Sequence, residues 1–171
     1  MSNSAEASIV TVTAACRAVE LPGRGRGIVA RRPIAVGEFV LAFRGSELRF
    51  QEVTEFTHVL EYAPGRFLGP SGELDDLVNH SCDPNCAVET NGRAALLRAV
   101  RPIRRGEELT FDYSTAMLTD PTTFPCQCGA NGCRGIVRRW SELPSSVRGS
   151  YLRRGMVPAF VARPPARPRR R

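Results

Sequence analysis

Apolar residues in this chain fall into short runs, and nearly every run is closed by glycine, proline or an Asn/Asp turn former. Residues 9–18 interleave apolar side chains with threonine, which suits a first strand. Residues 21–32 form a Gly/Arg-rich turn that runs into Ile28, Val29 and Ala30. After Gly37, the stretch Phe39-Val40-Leu41-Ala42-Phe43 predicts turn then strand. Residues 46–62 are mixed and suit a strand with a short helical turn. Residues 67–72, with Gly69-Pro70-Ser71-Gly72, read as a loop. Residues 94–100 predict a buried strand, and 108–113 another after the Arg101-Pro102 and Arg105-Gly106 breaks. A single persuasive helix spans 141–154, with Ser141 as N-cap and Pro144 in its first turn. Many short strands and few helices make this a mostly-β chain, without internal repeats.

At 171 residues the chain is long enough for one domain with its own core. No apolar run reaches the roughly 18 residues of a membrane span. The first fifteen residues lack the basic start and apolar core of a secretory signal. Six cysteines without such a signal suit a metal or free thiols in a reducing cytoplasm better than disulfides. The net charge of +7 is unevenly spread. Residues 1–133 carry 13 Arg against 16 Asp and Glu, whereas 134–171 carry 11 Arg against Glu142 alone. An acidic front attracts a basic protein, while the basic end could touch nucleic acid or simply keep the chain solvated.

Three kinds of chemistry stand in order over residues 79–133. Asn79-His80-Ser81-Cys82-Asp83-Pro84-Asn85-Cys86 is a polar turn, since Asn and Asp bond their own backbone and Pro fixes φ. His80 has only His58 as a companion histidine, and nothing nearby resembles a nucleophile–base–acid triad. In Gly106-Glu107-Glu108-Leu109-Thr110-Phe111-Asp112-Tyr113, the spacing of two puts Phe111 and Tyr113 on one face of a strand. Cys126, Cys128 and Cys133 place three thiols within eight residues, with Gly129 and Gly132 allowing a tight wrap. A closed zinc site takes four tetrahedral ligands, so a fourth must come from elsewhere, with Cys82 and Cys86 both available. All-thiolate coordination favours zinc, while Cys16 and Cys86 also suit buried, small apolar positions. Upstream, Gly25-Arg26-Gly27-Ile28-Val29-Ala30 fits a dinucleotide fingerprint on paper. Pro33 forbids the long helix that fingerprint needs, so the stretch reads as a tight turn where backbone can approach a ligand.

Taken together, these motifs resemble the SET-domain protein-lysine methyltransferases with a post-SET zinc module, over roughly residues 10–140. The resemblance implies several small curved sheets with a pseudoknot, short helices, and a C-terminal zinc module and helix. It divides the chain into a flexible 1–8, a SET domain 9–117, a post-SET module 122–138, a helical extension 139–160 and a disordered basic tail 161–171. It places S-adenosylmethionine beside Gly25, Arg26 and Gly27, with Asn79 contacting it by side chain, His80 by backbone and Val137 against the adenine. It assigns Tyr113 to cofactor and catalysis, the phenol orienting a deprotonated lysine amine for in-line transfer without a strong general base. It gives Phe111 the position that sets product multiplicity, where a ring without a hydroxyl leaves room for di- or trimethylation. It names Cys82 as the fourth ligand, completing a structural Zn²⁺ site with Cys126, Cys128 and Cys133.

The family's cysteine-rich pre-SET region is missing before Gly25, and the insert between Gly45 and Asp75 is short, as in compact members found in bacteria and some other lineages. The implied partner is a lysine-containing basic protein or peptide; nucleic acid is not required, although the Arg-rich tail could contact it weakly. All 24 basic residues are arginine, so the chain cannot methylate its own lysine side chains. Two other readings share parts of the pattern. A non-catalytic SET domain could hold a basic peptide, against which the intact Tyr113, Asn79 and cysteine set speak. A basic zinc-containing nucleic-acid binder would need a stacking platform, and Trp140, Tyr151 and Phe160 are too scattered for one.

Overall fold

The computed structural model describes residues 15–164, whose strands divide among five small sheets. Strands β1 (Cys16–Leu21) and β2 (Gly25–Ala30) form an antiparallel hairpin. The sequence places the Gly/Arg stretch in the turn; in the structure it is already strand, with Gly27 paired to Val19. Strand β3 (Phe39–Phe43) is followed by β4 (Glu47–Arg49), β5 (Leu60–Ala63) and β6 (Arg66–Leu68), the last three forming one antiparallel sheet in the order β4-β6-β5. Phe67 and Leu68, expected in a loop, are therefore strand residues, and both are buried. The glycine and proline that follow them end a strand here and do not exclude one. Where the sheets meet, Gly45 at φ 124° lies so close to Gly69 that a Cβ would overlap the Gly69 carbonyl.

Strand β7 (Asn79–His80) pairs in parallel with β10 (Thr110–Phe111), with Asn79 opposite Thr110 and His80 opposite Phe111. Between them in sequence, β8 (Cys86–Thr90) and β9 (Ala95–Ala99) join β3 in the order β3-β9-β8. Strand β8 carries no signal of its own in the sequence, because its residues follow the polar turn without a break. The expected strand over 108–113 is regular only at Thr110 and Phe111, and Tyr113 opens a 3-10 turn, Tyr113–Ala116. Strands β11 (Phe124–Pro125) and β12 (Ile136–Val137) form the last antiparallel pair and bracket the cysteine loop.

Ile28, Val40, Tyr62, Leu97, Ile103, Leu109 and Phe111 belong to a central core, each large apolar side chain contributing about 1.5–3 kcal/mol. A smaller core joins Ala87 to Trp140, Leu143, Tyr151, Met156 and Val161. The C-terminal helix starts later than expected: Trp140–Glu142 is a 3-10 turn, and the α-helix is Ser145–Arg153 with Pro144 as N-cap. Leu143, preceding a proline, is held extended at ψ 148°, which breaks a helix begun at Ser141. A last helix, Ala159–Ala162, crosses the expected boundary at 160 and buries Val161. The expected flexible 1–8 and residues 165–171 of the tail lie outside the described residues. No described helix is long and apolar enough to cross a membrane.

Candidate active site

The parallel β7–β10 pair is pinned by a residue of the polar turn. Asn85, 2% exposed, donates through Nδ2 to the Glu108 carbonyl (2.7 Å) and Glu107 Oε1 (3.1 Å) and accepts the Thr110 N–H (2.9 Å). Asn79, one turn earlier, donates through Nδ2 to the Arg26 carbonyl and Glu108 Oε1, both at 3.0 Å. That spends both amide hydrogens and leaves Oδ1 as a free acceptor. Gly27 makes this approach possible, since a Cβ there would press on Leu21 and on the Asn79 amide. Gly25, at φ 71° with open space around it, serves the turn. The Arg26 side chain leans toward Glu20 (3.6 Å), so that residue contributes mainly its carbonyl. The guanidinium that faces the site is that of Arg24, paired with Glu108 at 2.7 Å. Sequence reasoning missed Arg24; its place beside the glycine turn was the available signal.

Tyr113 donates its hydroxyl proton to the Val78 carbonyl at 2.7 Å. Burial, and then the charge of Glu108, raises its pKa above the ordinary tyrosine value, so it remains a neutral phenol. Its ring lies 4.9 Å from Phe111, which meets Phe43 edge-on at 5.8 Å, and 6.5 Å from Phe124. The Tyr113 N–H donates to His80 Nδ1 at 3.2 Å. Burial, reinforced by Arg134 and opposed by Asp112, pushes His80 down to about 4. A neutral ring that accepts through Nδ1 carries its proton on Nε2, which faces Cys82 Sγ at 3.4 Å.

Two cavities meet at this phenol. The larger, about 510 Å³, has apolar walls that include Phe43, Leu60, Leu68, Val78, Phe111 and Met117, and it takes in the carboxylates of Glu55, Asp75, Asp76 and Asp120. The smaller, about 290 Å³, lies among Arg24, Asn79, His80 and the stretch from Phe124 to Cys128. Tyr113 and Phe124 line both. Phe124 escaped the sequence analysis because a lone aromatic ahead of Pro125 carries no periodic signal. Its pairing with Val137 was the missing information. Val137 itself is fully buried and does not line the smaller cavity; Gly25, Arg26 and Gly27 stand behind Asn79.

The thiols of Cys82, Cys126 and Cys128 come together with His80, their ligand atoms all within 4.8 Å of one another. Cys82 and Cys126 sulfurs are 3.8 Å apart across 44 residues of sequence. Cys133 stands at the edge, its sulfur accepting the Gly135 N–H at 3.4 Å, and its thiol influences both Cys126 and Cys128. Cys86 is buried in the core instead. Burial lifts Cys82 to about 11. At Cys128 burial also raises the pKa, but the N–H groups of Cys82 and Ala130 and the neighbouring thiols outweigh it and bring the group to about 7. A thiol that ionises near neutrality amid three more sulfurs is a donor set that can hold a soft divalent ion. His80 is less suited as a ligand, because its Nε2 carries the proton.

The sequence model described as the SET domain matches residues 25–114. Histone-lysine N-methyltransferase ash1 of Drosophila melanogaster is 30% identical over 130 residues, covering 67% of this chain and 6% of that protein. Histone-lysine N-methyltransferase NSD3 of Mus musculus is 35% identical over 144 residues, covering 72% of this chain and 10% of that protein. The chain thus spans a tenth or less of these relatives' length. The methyltransferase domain of human SETMAR superposes with a TM-score of 0.61 at 23% identity, over 72% of this chain and 58% of that one. KRYPTONITE, solved with mCHH DNA, an H3(1-15) peptide and SAH, gives 0.61 at 23% identity, over 71% of this chain and 29% of that one. Both likenesses are of fold.

Proposed function

The chain belongs to the SET-domain family, and from that premise we propose that it is an S-adenosylmethionine-dependent protein-lysine N-methyltransferase. One observation carries the reading: a neutral phenol, Tyr113, shared by two cavities, one among aromatic and aliphatic side chains with carboxylates at its edge, the other beside Arg24, Asn79 and the cysteine loop. The larger cavity suits a lysine side chain, and the smaller suits the methyl donor. Such two-sided access lets an amine be methylated repeatedly without releasing the peptide.

Each step follows from groups in place. Apolar walls strip water from an entering ammonium and depress its pKa, so the nucleophilic neutral amine becomes accessible. The carboxylates of Asp75 and Asp76 are engaged by the N–H groups of Arg44, Ser71 and Gly72. They supply negative potential toward a basic peptide and are poor candidates for a base. His80, committed to the Tyr113 N–H, is equally unsuited, so the proton leaves to water before transfer. The phenol, having donated to Val78, keeps its oxygen lone pairs to accept from the amine and orient it. Phe111 presents no hydroxyl to this channel, which leaves room for an amine already carrying methyl groups and supports di- or trimethylation. S-adenosylmethionine, held by Asn79 Oδ1, the backbone near His80 and Arg24 beside the Gly25–Gly27 turn, would supply the electrophilic sulfonium methyl. Zn²⁺ on Cys82, Cys126, Cys128 and Cys133 would fix the loop that walls the smaller cavity. The substrate is a lysine-containing basic protein or peptide.

Isothermal titration of the zinc-loaded protein with S-adenosylmethionine tests the reading first. Micromolar binding is expected, weakened about tenfold or more in Asn79→Ala through loss of one acceptor. No detectable binding would favour a peptide-holding domain without catalysis.

A further inference from the structure

Asp112, the neighbour of Tyr113, is 1% exposed, and so deeply buried a carboxylate needs partners for both oxygens. Oδ1 accepts the Ser114 N–H at 3.1 Å. Oδ2 is 2.7 Å from the Arg134 guanidinium and accepts from the Tyr151 hydroxyl at 3.0 Å. Both partners come from beyond the matched SET region, Arg134 from the cysteine loop and Tyr151 from helix Ser145–Arg153.

The same two residues also grip the metal-binding turn. The Arg134 N–H donates to Cys82 Sγ at 3.4 Å, and the single Tyr151 hydroxyl proton is shared between Asp112 Oδ2 and the Cys82 carbonyl, each 3.0 Å from the phenol oxygen. Cys82 meets His80, and His80 accepts the Tyr113 N–H. The contacts therefore close a circuit from Asp112 through Arg134, Cys82 and His80 to Tyr113, with Tyr151 bridging its width. Tyr113 is flanked in sequence by two members, Asp112 and Ser114, and held through its own amide by a third.

We propose that Arg134 and Tyr151 are positioning residues for Tyr113: by holding Asp112 and Cys82 together, they make the cysteine loop and the C-terminal helix set the backbone from which the phenol projects. This rests on the reading of Tyr113 as the group that orients the amine. It adds that the helix is part of the active centre and that only its hydroxyl, not its packing, conveys the effect.

The test uses the full zinc-loaded chain carrying Tyr151→Phe, Arg134→Gln or Arg134→Lys. Tyr151→Phe keeps the ring that stacks on Trp140 at 6.5 Å and deletes only the hydroxyl. Two readouts are taken: the Tyr113 amide resonance in ¹H–¹⁵N spectra, and kcat and KM with tritiated S-adenosylmethionine on core histones. The Tyr113 amide should move in Tyr151→Phe and Arg134→Gln, with kcat falling about tenfold and KM within about twofold. Arg134→Lys should recover part of the loss by restoring a cation to Asp112. An unmoved Tyr113 amide in Tyr151→Phe would overturn the proposal. So would equal impairment of the Lys and Gln variants with a matching fall in Tm, since that describes a merely structural role. Should the wild type transfer no methyl to histones while the amide still moves, the positioning stands and the enzymatic reading of the site on that substrate fails.

Discussion

The two cavities that share Tyr113 are built on different principles. The larger is walled by side chains of the main core and of the β4-β6-β5 sheet, packed wherever the chain folds. The smaller takes one wall from the Phe124–Cys128 stretch, whose strands β11 and β12 are two residues each. Hydrophobic burial forms most of the first, which shares Phe124 as well as Tyr113 with the second. The second borders on the thiols of Cys82, Cys126 and Cys128, which converge with Cys133 at their edge, and a cation there would tie the loop to the Asn79–Cys82 turn. On the proposed reading, the larger cavity would then be chiefly a property of the fold, and the smaller one a property of the fold plus a metal held by the cysteine cluster.

The sharpest way to break that contrast is Tyr113→Phe, which removes the one polar group common to both sides. Turnover should fall on the order of a thousandfold, while S-adenosylmethionine affinity by titration stays within about twofold of the wild type. Unchanged turnover would end the mechanism. Metal removal comes next, because it should separate the cavities. A chelator, or Cys128→Ser, should speed amide hydrogen exchange over residues 120–140 while strands β3, β8 and β9 keep their protection, and should cost roughly 10- to 100-fold in activity. Equal loosening of both regions, or a metal-free and fully active protein, would erase the distinction. The smallest effect belongs to Phe111→Tyr, confined to the larger cavity. Mass spectrometry of the product should shift toward monomethyl-lysine with the first methylation slowed no more than about threefold. An unaltered product distribution would remove Phe111 from the pocket's size control.

Legibility in the sequence followed the same divide between local and distant causes. The Asn79–Asn85 turn, the Phe111 and Tyr113 pair and the cysteine spacing are local patterns, and the structure gathers them at one site. The strands at Phe39–Phe43 and Ala95–Ala99 announced themselves as apolar runs. What escaped had its cause elsewhere in the chain. Glu61 has no motif, yet its buried carboxylate accepts from the Leu118 N–H (2.9 Å) and the Thr119 N–H (2.8 Å), tying β5 to the segment after the 3-10 turn. Arg24 and Phe124 matter because of what lies across from them, and Phe67 and Leu68 were hidden by the turn formers that follow. The C-terminal helix moved by several residues for a local reason after all: Pro144 dictated the conformation of Leu143.

The bond from Tyr151 to Asp112 also has a meaning in time. A nascent chain emerges N-terminus first, so the hairpin bearing Gly27 is made long before the helix that completes the circuit around Tyr113. At about 5–20 residues per second, roughly 2 to 8 seconds separate the synthesis of Tyr113 from that of Tyr151. Throughout that interval the segment bearing Tyr113 exists without its last support. Whatever methylating capacity the chain has would switch on only once residue 151 has been made, and a product truncated before it would carry the Asn79–Cys82 turn, Tyr113 and the later cysteines with the centre incomplete.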